Sequence, residues 1–121
     1  MLKRFALAAL LALAAVPASA QPVEPTTVEY AAAMQNLIGR ELGGGIVIAA
    51  IAAERETLVI VLDGPAGWRD GFSPEQTTGL FMSGFCEDRS FDFFAGGKTL
   101  RIDTLEAGGA LRPGPLVERC G

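Results

Sequence analysis

Residues 46–62 read IVIAAIAAERETLVIVL, and this stretch decides the fold of the chain. Its second apolar run, 57–62, is rich in β-branched residues, which favour a strand. The first run, 46–53, contains several alanines and could form a helix, but its isoleucine and valine residues favour a strand. Only the charged residues 54–56 separate the two runs. We therefore predict a β-hairpin with a three-residue turn.

A first helix is predicted immediately before the hairpin. Thr26 and Glu29 have the spacing of a capping box, in which each side chain satisfies a backbone donor of the other residue. Apolar side chains then recur at helical spacing as far as Leu42. The glycine run 43–45 is interpreted as the end of this helix, because glycine readily adopts the left-handed conformation found there. The predicted apolar face consists of Tyr30, Ala31, Met34, Leu37, Ile38 and Leu42.

A second helix is predicted after the loop that follows the hairpin. Ser73 and Gln76 repeat the capping-box spacing, and Pro74 stands at the first helical position, where proline is tolerated. The helix is expected to end at Cys86. Its predicted buried face consists of Thr77, Leu80, Phe81, Gly84 and Phe85.

Two further strands are predicted in the last part of the chain. A short helical turn around residues 91–94 is expected to stop at the glycine pair 96–97, and residues 98–105 then alternate polar and apolar side chains as a strand does. Residues 110–119 can return as a strand, but Pro113 and Pro115 restrict it to a sheet edge. The sequence thus predicts an α+β fold: a small antiparallel sheet with two main helices packed on one face.

The first twenty residues have the features of a secretory signal peptide. Lys3 and Arg4 are followed by an apolar stretch too short to span a bilayer, and residues 18–20 read Ala-Ser-Ala, a typical cleavage site. We expect cleavage after Ala20, a short leader over 21–25 and a single α+β domain over 26–121. The mature protein is expected to be periplasmic or secreted, without a membrane span.

The chain contains two cysteines, Cys86 and Cys120. An oxidising compartment allows them only one intramolecular pairing, so a Cys86–Cys120 disulfide is predicted. A redox-active pair is disfavoured by their wide separation, and a zinc site would need further ligands.

The predicted element order is helix, strand, strand, helix, strand, strand (α-β-β-α-β-β). With one cysteine after the middle helix and one at the end of the final hairpin, it resembles that of small exported bacterial proteins of unknown function. Cys86 and Cys120 carry this resemblance, which covers most of the mature chain. It implies no catalytic residue.

Charge and composition limit the possible functions. Removal of the signal peptide leaves eight basic and fourteen acidic residues, a net charge of −6. The basic residues are scattered singly, so no nucleic-acid partner is predicted. Histidine is absent, which removes the commonest general base and most transition-metal sites. No cofactor is predicted. The carboxylates that could serve acid–base chemistry are Asp63, Asp70, Glu75, Glu87, Asp88, Asp92 and Asp103.

Two hypotheses use these carboxylates. A pair held about 5–9 Å apart could hydrolyse a glycoside. Glu87, Asp88 and Asp92 could instead contribute oxygen ligands to calcium, although calcium requires six to eight of them. We favour solvation and helix capping as the role of these side chains, and predict neither a catalytic residue nor a metal site.

The loop 64–72 is the predicted recognition element. Trp68 offers a large apolar surface, Arg69 can bind a carboxylate or phosphate, and Asp70 lies beside them. The alternative is that Trp68 folds back over the core as a lid, with Arg69 and Asp70 solvated. The sequence favours a non-catalytic binding protein whose partner is another envelope or secreted protein or a cell-wall component. The alternatives are a small hydrolase with paired carboxylates and an inhibitor of a hydrolase.

Overall fold

The computed structural model describes residues 24–88 and 92–121. The predicted signal peptide and the first three leader residues lie outside the described residues. Within these residues, two helices, two short 3-10 turns and five strands follow one another. They are α1 (Thr27–Ala33), a 3-10 turn (Gln35–Leu37), β1 (Glu41–Gly43), β2 (Ile46–Glu54), β3 (Thr57–Gly64), α2 (Pro74–Phe85), a 3-10 turn (Ala95–Gly97), β4 (Thr99–Glu106) and β5 (Leu116–Val117).

The five strands form one sheet in the order β1-β2-β3-β4-β5. The predicted hairpin is present as β2 and β3, which pair antiparallel from Glu54 and Thr57 outward. Its turn is one residue shorter than expected, because Arg55 adopts a positive φ of 58° that closes a two-residue turn. The α+β class is confirmed. The sheet is mixed rather than purely antiparallel, since β3 pairs parallel with β4. The connection through α2 carries the chain back to the end at which β3 begins, as parallel pairing requires.

Both helices pack on the same face of the sheet, as predicted. Side chains alternate along β3 and β4, so Leu58, Ile60 and Leu62 share one face with Leu100 and Ile102. A bulge between residues 48 and 50 of β2 keeps Ile48 and Ile51 on that face. The core is completed by Ala31 of α1 and by Phe93, with Tyr30, Met34, Phe81, Met82 and Phe85 packed against it.

Both predicted capping boxes are present, at Thr26 with Glu29 and at Ser73 with Gln76. The predicted length of the first helix was wrong, because α1 ends at Ala33 rather than Leu42. The chain turns at Gly39, whose φ is +92° and whose amide donates to the Ile48 carbonyl of β2. Pairing with β2 therefore draws the segment after Gly39 out of the helix.

The glycine run 43–45 forms the turn between β1 and β2, not the end of a helix. All three glycines have positive φ, of 118°, 63° and 81°. A residue with a Cβ rarely adopts this conformation, so three such positions in succession favour glycine strongly. The turn returns the chain into β2 and leaves β1 as the first edge of the sheet.

The predicted disulfide is present between Cys86 at the end of α2 and Cys120, with the two Cα atoms 5.9 Å apart. The disulfide anchors the C-terminal segment, whose strand β5 has only two residues, to the end of α2. Only Leu116 and Val117 of the predicted 110–119 strand pair as β5, apart from an isolated bridge between Arg112 and Thr104. The prolines at 113 and 115 remove ladder donors there, as the sequence predicted.

Candidate binding groove

An open apolar groove of about 220 Å³ lies between the β1–β2 end of the sheet and α2. The strands contribute aliphatic side chains, the loop after β3 contributes an aromatic ring, and α2 contributes the opposite wall. The lining residues are Leu42, Ile46, Leu62, Trp68, Thr77, Leu80 and Phe81. None of these side chains is ionisable in the ordinary pH range.

Two leucines stand at the opening of the groove. Leu42 on β1 is 47% exposed, and Leu80 on α2 is 64% exposed. Leu80 was predicted on the buried face of the helix, and this was wrong: Thr77 and Thr78 are the buried residues of α2, and Leu80 points towards solvent. Large apolar side chains exposed side by side over a groove mark an interaction surface more often than scattered ones do.

Thr77 provides the one hydroxyl in the lining. Its side chain is buried, and within the part of the chain that the structure describes its Oγ1 has no hydrogen-bond partner. The remaining lining is hydrocarbon or aromatic apart from the indole nitrogen of Trp68, which is already bonded. The groove therefore suits an apolar group.

Trp68 forms one wall of the groove and is fixed at two places. Its Nε1–H donates to the Leu105 carbonyl of β4 at 2.7 Å. Its ring lies directly over Gly64, so close that a Cβ on Gly64 would stand 2.8 Å from Cδ1 of the indole. The half-buried ring packs against the core. The ring of Trp68 therefore contacts the core on one side and lines the groove on the other.

Arg69 and Asp70 do not join Trp68 in the groove lining. The Arg69 guanidinium donates from Nη1 to the Thr104 carbonyl at 2.9 Å, and its Nε lies 3.4 Å from the Glu106 carboxylate. Only 12% of its side chain is exposed, so its donors face β4 rather than solvent. Asp70 is exposed on the loop. The binding role predicted for these three residues stays a prediction.

The most deeply buried carboxylate, Asp103 of β4, lies on the sheet face opposite the core. It is 2% exposed and accepts two hydrogen bonds from Arg101, at 2.8 and 2.9 Å, and one from the Gly114 amide. Hydrogen bonding to Asp103 raises the pKa of the Arg101 guanidinium above its usual value. Asp103 thus forms an ion pair with Arg101 on β4, and its hydrogen bond from Gly114 links β4 to the segment 112–117.

The calcium hypothesis placed Glu87, Asp88 and Asp92 together. Over residues 24–88 and 92–121, no three Asp, Glu, His or Cys side chains come close enough together to hold a metal ion.

In the same ranges, no helix is long and apolar enough to cross a bilayer.

Sequence reasoning identified Trp68 but missed the two leucines of the groove. Leu42 was assigned to a helix and Leu80 to the core. For Leu42, the usable signal was the glycine run after Glu41-Leu42, which is as typical of a tight strand connection as of a helix end.

Comparisons with protein families, with curated proteins and with solved structures gave no match for this chain.

Proposed function

We propose that this chain is a non-catalytic binding domain that acts outside the cytoplasm and holds an apolar side chain of a protein partner in the groove. The observation that carries the proposal is the groove itself: an apolar cleft without an ionisable group, flanked by the exposed side chains of Leu42 and Leu80. Binding anchors in protein interfaces are commonly apolar or aromatic side chains that fill such pockets.

The size of the groove favours a side chain over a small-molecule ligand. Pockets for drug-sized ligands and cofactors are typically about 300–1,000 Å³ and carry several placed polar groups. The groove has about 220 Å³ and one hydroxyl, that of Thr77, which has no hydrogen-bond partner among the described residues. It is therefore large enough for one or two side chains and poorly equipped to orient a polar metabolite.

The hydrolase alternative finds less support in the geometry. A general acid needs a carboxyl group that can hold and release a proton beside the substrate. Asp103 already accepts hydrogen bonds from Arg101 and from the Gly114 amide, and it lies on the sheet face opposite the core, away from the groove. Asp70 and Glu75 are exposed and are not among the residues that line the groove.

The extracytoplasmic location rests on the predicted signal peptide and on the disulfide, which is typical of oxidising compartments. Expression of the full chain in a bacterial host tests it directly. The protein recovered outside the cytoplasm should begin at Gln21 and be two hydrogens lighter than its reduced form by intact mass. A chain that retains residues 1–20, or that has two free thiols, would contradict this assignment.

Site-specific photo-crosslinking tests the groove. Leu80 and, separately, Val28 are replaced by benzoylphenylalanine in the mature protein. Val28 is the matched control, because it is 65% exposed on α1 and is not part of the groove lining. After irradiation in an envelope extract, we expect one discrete protein adduct from position 80 and none from position 28. Equal, diffuse labelling from both positions would refute the groove as the binding site.

A further inference from the structure

We propose that the Asp70–Gly71 peptide is a modification site, at which the mature protein spontaneously forms an isoaspartyl linkage. The chain contains two Asp-Gly pairs, Asp63–Gly64 and Asp70–Gly71. Glycine after aspartate favours this reaction, because a residue without a Cβ lets its amide nitrogen approach the preceding carboxyl group. The fold places the two pairs in opposite environments, and only the second is free to react. This site is independent of the proposed binding function.

The reaction is intramolecular and needs no cofactor. The glycine nitrogen attacks Cγ of the aspartic acid, and a C–N bond replaces the C–O bond of the side-chain hydroxyl. The hydroxyl group and the amide hydrogen leave as water, which gives a five-membered succinimide. Water then opens the ring. Addition at the side-chain carbonyl restores aspartate, whereas addition at the main-chain carbonyl gives isoaspartate, whose main chain passes through Cβ and Cγ. The rate depends on how easily the nitrogen reaches Cγ.

The Asp70–Gly71 peptide stands in open space. Both residues are exposed, and the side chain of Phe72 after them is 45% exposed. A Cβ built on Gly71 would meet no atom within 4 Å. The Phe72 amide donates to the Arg69 carbonyl at 3.0 Å, but in the part of the chain that the structure describes the Gly71 amide makes no hydrogen bond. The Gly71 nitrogen can therefore turn towards Asp70 without breaking a bond of its own.

The Asp63–Gly64 peptide is held in the sheet. Both residues belong to β3, which pairs with β4 at both positions and with β2 at Asp63. A Cβ on Gly64 would stand 2.8 Å from the indole of Trp68, so the ring leaves this peptide little room to rotate. The Gly64 amide donates to Oδ1 of Asp63 at 2.8 Å, which directs its hydrogen rather than its nitrogen towards the carboxylate. Ring closure here requires the end of β3 to leave the sheet.

The modified residue lies between two features of the loop. Trp68 precedes it and lines the groove, and Ser73 follows it as the N-cap of α2. An isoaspartyl residue adds one atom to the main chain inside the turn that the Phe72 amide closes on the Arg69 carbonyl. Isomerisation therefore changes the spacing of the segment that joins the groove-lining indole to α2.

Incubation of the oxidised mature protein tests the site. At about pH 5, where a larger share of aspartic acid side chains is protonated and can lose water, intact mass should show a form that is one water lighter. After transfer to about pH 8, the ring opens. The protein is then unfolded, and its isoaspartate is measured with isoaspartyl methyltransferase and tritium-labelled S-adenosylmethionine.

Two variants assign the label. Asp70→Glu keeps the charge but requires a six-membered ring, so it should lower the label at least about tenfold, which corresponds to about 1.4 kcal/mol in the barrier. The matched Asp63→Glu should leave the label unchanged. Circular dichroism confirms that both variants are folded. When the incubation is repeated in urea, where both pairs are free, each variant should lose a comparable share of the label.

Three results would overturn the proposal. An unlabelled wild-type protein would show that the site does not react. Equal labelling of the wild-type protein and Asp70→Glu would place the modification elsewhere. Label that depends on Asp70 alone in urea as well would show that neighbouring sequence, rather than the sheet and Trp68, protects Asp63.

Discussion

The packing of the Trp68 indole ring against Gly64 can be tested by a double-mutant cycle. In the wild-type protein, the added methyl group of Gly64→Ala would stand 2.8 Å from Cδ1, whereas ordinary contact begins at 3.4 Å. The ring must therefore move by about 0.6 Å. Its hydrogen bond to the Leu105 carbonyl opposes that movement. We expect Gly64→Ala to lower the free energy of unfolding by about 2 kcal/mol, within the range of overpacking substitutions.

Removal of the indole should reverse the sign of this effect. Trp68→Ala alone should cost about 3 kcal/mol, at the lower end for large aromatic residues because the ring is only half buried. The three atoms nearest to the added methyl group all belong to Trp68, and Gly64 has an ordinary backbone conformation. In the Trp68→Ala background, Gly64→Ala should therefore be neutral or stabilise by up to about 1 kcal/mol. The expected coupling is about 2–3 kcal/mol.

Urea unfolding followed by far-UV circular dichroism measures all four proteins. Fluorescence cannot serve for this cycle, because Trp68 is the single tryptophan of the chain. The control cycle pairs Trp68→Ala with Gly79→Ala, since a methyl group on Gly79 meets no atom within 4 Å. That pair should be additive. A coupling energy below about 0.5 kcal/mol between Gly64 and Trp68 would refute the packing of the ring against Gly64.

Three further perturbations test other parts of the fold. Cys120→Ser opens a loop with a sequence separation of 34 and should lower the free energy of unfolding by about 3.8 kcal/mol in the chain-entropy model; an unchanged urea midpoint would show that the bond contributes little. Gly114→Ala should destabilise by about 3 kcal/mol or prevent folding, because its Cβ would overlap the Ile102 carbonyl oxygen of β4; equal stability of this variant and Gly79→Ala in urea would contradict that packing. Burial raises the pKa of the Tyr30 phenol, so the stability that this neutral group contributes is present below pH 10 and is lost as pH rises through the folded pKa. Tyr30→Phe should therefore show a smaller loss of melting temperature between about pH 9 and 12, and a parallel loss in both proteins would exclude Tyr30 as its source.

Features encoded locally were predictable from the sequence. A capping box involves residues three positions apart, so the starts of both helices could be identified from Thr26 and Ser73 without knowledge of the rest of the fold. The hairpin likewise depends on neighbouring segments. The disulfide followed from the count of cysteines in a chain with a predicted export signal.

Features set by distant contacts were not predictable in the same way. The departure of residues 39–43 from the predicted helix depends on their pairing with β2, where the Gly39 amide donates to the Ile48 carbonyl, and local periodicity cannot detect such a distant contact. The parallel pairing of β3 with β4 depends on the path of the chain through α2. The groove was missed for the same reason, since Leu42 and Leu80 meet only after the sheet and helix have assembled.

The mixed sheet also bears on the order in which the strands of this chain pair during folding. β2 and β3 join through a two-residue turn, whereas Thr57 of β3 meets Thr99 of β4 across 42 positions of chain. A hairpin closes in about 1–10 μs, while pairing across a long crossover is slower because the loop entropy is lost before the contacts form. We expect the two cysteines to meet after that crossover, because Cys120 follows β5, which pairs with β4. We therefore expect oxidation to come late in folding, and until then both thiols remain open to thiol–disulfide exchange.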